Sequence, residues 1–125
     1  MDIALKVAAG LPAIAFVLLG LSWWVVPDFA SAQLGMTLLG GVGLSSQIGD
    51  VASFFLTLGA CILIGISTNN RFWLYPAIML LTLATIGRLL AWAVHDAALA
   101  TRMIAVEWVV LAGLFFLSHR LATPR

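Results

Sequence analysis

Four long apolar runs, separated by short clusters of polar and turn-forming residues, organise this 125-residue chain. Residues 3–26 are apolar apart from Lys6 and Ser22, with Pro12 a candidate kink. Residues 51–67 carry no charge, and residues 72–94 are interrupted only by Arg88. A fourth run covers residues 97–118, where Asp96 stands in a good position to cap the helix N-terminus. About 20 apolar residues suffice for one helical crossing of a bilayer, so each run predicts a transmembrane helix. Apolarity is continuous in all four, without the alternation of a membrane barrel, so strands are not expected.

The connections differ in kind. Residues 27–49 contain Pro27, Asp28 and the glycines 35, 40, 41, 43 and 49, which reads as a surface connection. Within it, residues 29–39 suit a short helix lying in the membrane interface. Thr68-Asn69-Asn70-Arg71 is a tight polar turn, and the tail from His119 to Arg125 is polar. The Ala30-Ser31-Ala32 spacing resembles a signal-peptide cleavage site, but the preceding run exceeds the 7–15 residues or so of a signal peptide's apolar region.

Composition agrees with this pattern and narrows it. Hydrophobic residues make up 63% of the chain and charged residues 9%, with a mean hydropathy of +1.14. A soluble domain carries about 25% charged residues. The expectation is an all-α membrane protein: one domain over residues 1–125, folded as an antiparallel four-transmembrane-helix bundle. A net charge of +1 creates no basic field for nucleic acid. Four crossings put Lys6, Arg71, Arg120 and Arg125 on one side, against Arg102 on the other. Basic residues favour the cytoplasm, so both termini are expected there. Trp23, Trp24 and Trp92 then fall near the outer interface, and Trp73 and Tyr75 near the inner one.

Candidate chemistry rests on the few ionisable residues inside or beside the runs. A charge at the centre of a membrane helix costs about 2.5–3.5 kcal/mol on insertion scales, which makes Arg88 and Glu107 the first candidates. Helical spacing places Arg88 with His95 on one face and Asp96 with Glu107 on another. Asp50, Ser53, Thr57 and Cys61 form a third stripe. A polar seam between the second, third and fourth helices is expected, with Asp50, Arg88, Glu107, His95, Trp92 and Asp96 around a ligand in the outer leaflet. Each has a simpler alternative: the Arg88–Glu107 pair as a register-fixing ion pair, Asp50 as a helix cap, Ser53 and Thr57 as partners of their own helix backbone, and Cys61 as a small packing residue. His95 and His119 fall on opposite sides of the bilayer, and no metal, haem or phosphate-loop motif is present, so neither cofactor nor metal is expected.

Gly49-Asp50 followed by Phe54-Phe55 and Gly59, then Gly87-Arg88-Leu89-Leu90, Asp96 and Glu107, together resemble a family of small bacterial four-helix membrane proteins of unassigned activity, similar in architecture to the DoxX-like group. The resemblance covers nearly the whole chain. It implies four helices, a bacterial inner-membrane location, and Asp50, Arg88 and Glu107 as the family-type polar positions. Asp96-Ala97 departs from the Asp-Gly expected there.

Two classes of function follow. The first is a binding or accessory protein whose partners are membrane lipids, a quinone-like amphiphile, a membrane protein or a second copy of the chain. The alternative is a proton-coupled transporter or membrane enzyme using Glu107 as proton acceptor beside Arg88. The chain has no internal repeat from which to build a proton path, which favours binding over catalysis.

Overall fold

The computed structural model describes residues 3–121, and among these it is all-helical. Helix α1 spans Ile3–Val25 and continues through Pro12. Helix α2, Pro27–Gln33, begins with proline, whose fixed φ and missing N–H suit the first helical position. It lies earlier and is shorter than the expected 29–39 helix, because Gly35 turns into the left-handed region at φ +68°. The amides of Gly35 and Met36 close the turn on the carbonyls of Ala32 and Ser31.

The second crossing corrects the expected boundary at residue 51. Helix α3, Gly41–Ser46, runs through a π-helical turn, Gln47–Val51, into α4, Ala52–Thr68, giving one 28-residue segment. The buried Gln47 side chain explains how a glycine-rich stretch is held there. Its Oε1 accepts from the Leu39 amide at 2.9 Å and its Nε2 donates to the Thr37 carbonyl at 3.0 Å, satisfying backbone groups of the connection. Asp50 therefore lies inside a helical segment and caps no terminus. Helix α4 ends as its polar turn requires: Asn69 is left-handed at φ 54°, and the Asn70 amide reaches back to the Gly65 carbonyl. The Asn70 side chain then accepts from the Phe72 amide, opening a 3-10 turn that leads into α5, Leu74–Val94.

Helix α6 spans Thr101–Arg120, four residues later than expected. Asp96 is not its cap. Asp96 adopts φ 60° in the connection, Ala100 precedes the helix without a side-chain cap, and Asp96 therefore shares no helical face with Glu107. His119 and Arg120, read from the sequence as part of a polar tail, complete the last turn, where cations complement the helix dipole. Arg125 lies outside the described residues.

The crossings pack in a ring: α1 on α4, α4 on α5, α5 on α6 and α6 on α1. Helices α1 and α4 are antiparallel and very close. Gly10 faces Ile66, Gly59 faces Ala13 and Val17, and Gly20 faces Ala52 and Leu56. A Cβ on Gly59 would lie 2.6 Å from the Ala13 carbonyl oxygen, so only glycine permits this approach. In a bilayer, where lipid is as apolar as leucine, such close backbone packing is a main source of helix association. The interior holds Leu58, Ile62, Leu74, Leu81, Leu114 and Leu117. Met79, Leu83, Ile86 and Leu90 of α5, with Val109, Phe115 and Phe116 of α6, point outward. Four segments long and apolar enough to span a bilayer, apolar on their outer faces, mark an integral membrane protein. Trp24 and Trp92 are exposed, but Trp23, expected beside them at the interface, is wholly buried against Ala30 and Ala52.

Candidate functional site

Thr85 and Arg88 sit three residues apart on α5, on the face turned toward α6. There Arg88 Nε donates to both oxygens of Glu107, at 3.2 and 3.1 Å, and Thr85 Oγ1 donates to Glu107 Oε1 at 3.3 Å. The carboxylate is the inner partner: its side chain is 10% exposed, against 30% for Arg88.

Helix geometry accounts for the meeting. Arg88 precedes the last residue of α5 by six positions and Glu107 follows the first of α6 by six, so each lies about 9 Å from its helix end at 1.5 Å per residue. Had α6 begun at residue 97, Glu107 would lie about 6 Å deeper relative to its own helix end. The late start of α6, which removed Asp96 from the site, is thus what brings the pair level.

Two cavities meet at Arg88. The first, about 440 Å³, is bounded by Asp50, Val51, Phe54 and Ala91, with Leu34 and Met36 from the connection after α2. The second, about 350 Å³, runs between Phe16, Leu58 and Leu81 to Arg102, Gln33 and Glu107. Leu34, Phe54, Phe55 and Arg88 belong to both walls. Each volume falls within the range of about 300–1,000 Å³ typical of small-molecule sites, and apolar walls with few polar groups are their usual lining. The two lie at the end of the bundle that carries the connection after α1, since Arg102 Nη2 donates to the Gln33 carbonyl at 3.4 Å.

Among the residues expected at the site, the fold unites Arg88 and Glu107 directly. Asp50 shares a cavity wall with Arg88 but lies beyond ion-pair distance of it. His95, Trp92 and Asp96 are exposed and line neither cavity. His95 is the C-cap of α5, its amide bonded to the Ala91 carbonyl. Ser53 Oγ donates to the Gly49 carbonyl of its own helix, the simpler of its two readings. Thr85, Gln33 and Arg102 were not singled out from the sequence as site residues. For Thr85 the signal was available in its three-residue spacing from Arg88. Gln33 and Arg102 are 69 positions apart, and only tertiary packing joins them.

No protein-family model, curated protein or solved structure matches this chain.

Proposed function

We propose that the protein is a small membrane binding protein that holds an amphiphile, such as a lipid or a quinone-like molecule, in the paired cavities beside Arg88 and Glu107. The observation that carries this reading is the placement of a partly exposed guanidinium, fixed by a buried carboxylate, where two apolar-walled cavities meet. Glu107 and Thr85 orient Arg88, and the apolar walls take the chain or ring of the ligand. On this reading the cavities open in the outer leaflet and both termini are cytoplasmic, because Lys6 and Arg120 then share the inner side with Arg71. The motifs at residues 49–59, 87–90 and 107 favour a DoxX-like bacterial inner-membrane protein, acting alone or as an accessory to a larger membrane partner.

Native lipid extract added to the purified protein in detergent should raise its thermal unfolding temperature, and Arg88→Ala should abolish the shift. No shift in the wild type would leave the pair a purely structural tie. A second reading, proton-coupled transport or membrane catalysis through Glu107 and Arg88, draws support from the burial of Glu107 within a span. Acidification of vesicles driven by a substrate gradient, lost in Glu107→Gln, would establish it instead.

A further inference from the structure

The two cavities are alike in apolar walls but not in charge. The first is lined by Arg88 and Asp50, opposite charges that lie beyond ion-pair distance of each other. The second gathers Arg88 and Arg102 against Glu107 alone, a formal excess of one positive charge. Neither guanidinium is used up. Glu107 takes only Nε of Arg88, and among the described residues no acceptor meets the two terminal nitrogens of that fork. Arg102 makes one long hydrogen bond to the Gln33 carbonyl and has no carboxylate within ion-pair distance among the described residues. A planar fork with both terminal nitrogens open is the arrangement that receives two oxygens of a carboxylate or phosphate. A neutral carbonyl would satisfy one N–H and leave the excess charge where it is. Resting on the amphiphile reading above, we infer that the second cavity selects an amphiphile with a compact oxyanion head, a carboxylate or a phosphate monoester, held between Arg88 and Arg102. Its apolar tail runs along Phe16, Leu58 and Leu81.

The test is equilibrium binding to the purified full-length protein in neutral maltoside detergent, with dodecanoate, dodecyl phosphate, dodecanol, decylubiquinone and inorganic phosphate as probes. Dodecanoate, dodecyl phosphate or both should bind at least tenfold more tightly than dodecanol and the quinone. Whichever anion binds more tightly identifies the head group. Arg102→Gln, an exposed position at the start of α6, should weaken the anionic amphiphile about tenfold, the usual effect of losing a charge-assisted hydrogen bond. It should leave dodecanol unchanged, and Arg102→Lys should restore part of the loss. Equal binding of dodecanol or quinone, or indifference to Arg102→Gln, would overturn the anion selectivity while the amphiphile reading stands. Inorganic phosphate binding as tightly as dodecyl phosphate would overturn the inference in favour of a soluble anion. If no probe binds, the amphiphile reading falls with it.

Discussion

Removing Arg88 and neutralising Glu107 perturb the same ion pair in unequal ways. Arg88→Ala leaves a buried carboxylate with only the Thr85 hydroxyl as partner. Breaking a buried pair in this way costs about 3–5 kcal/mol. Glu107→Gln keeps an amide oxygen for Arg88 Nε, and the partly exposed guanidinium can lean further toward polar surroundings, so its cost should be about 1–2 kcal/mol. Thermal unfolding of both variants in detergent measures the gap; equal losses would mean that Glu107 has other support. Thr85 shows why the third member of this cluster was hard to see. A threonine in an apolar helix usually bonds its own backbone, as Thr82 does to the Ile78 carbonyl. Thr85 departs from that habit because its face of α5 meets the carboxylate of α6. One turn of helix separates the two cases.

Glycine has opposite meanings in α4 and α6. At Gly59 a Cβ would press on the backbone of Ala13 and on both the side chain and backbone of Val17, so α1 and α4 would have to separate. Gly59→Ala should therefore destabilise the protein by about 1–3 kcal/mol, the usual scale of overpacking. At Gly113 nothing lies within 4 Å of the added carbon, and Gly113→Ala should stabilise by up to about 1 kcal/mol through helix propensity alone. Melting curves recorded in parallel decide the matter, and a neutral Gly59→Ala would show that the α1–α4 contact is looser than described. Helix ends follow local chemistry only where the chain supplies it. Asn69 stops α4 through its own left-handed conformation, which the polar turn announced. The start of α6 carries no side-chain cap, so position 96 looked better than position 101 although the helix begins at the latter.

The molecule as a whole buries few large side chains and shows lipid a broad apolar surface, as expected where packing, and not exclusion of water, holds helices together. Its orientation is open to direct test by cysteine labelling in intact cells, after the buried Cys61 is replaced by alanine. With termini inside, a cysteine at Ala98, in the exposed connection between α5 and α6, should react with an impermeant maleimide. One at Arg71, in the turn after α4, should react only after permeabilisation. The reverse pattern would invert the topology and move the paired cavities to the inner leaflet.

Apolar run lengths, the polar turn at residues 68–71 and two isolated charges determined the class of the molecule, its four crossings and the identity of its central ion pair. These are local or compositional properties: roughly 20 apolar residues cross a bilayer, and a charge inside such a run must find a partner. Tertiary structure decided where the second crossing begins, because Gln47 holds a glycine-rich segment in place through contacts 8 and 10 residues away, and the fourth begins at Thr101 without any side-chain cap to announce it. It also left His95, Trp92 and Asp96 exposed and off the walls of both cavities, and placed Gln33 and Arg102 on the wall of the second. Those outcomes depend on where the ends of separate helices meet, and a hydropathy pattern locates helices along the chain without fixing their depth or rotation against one another.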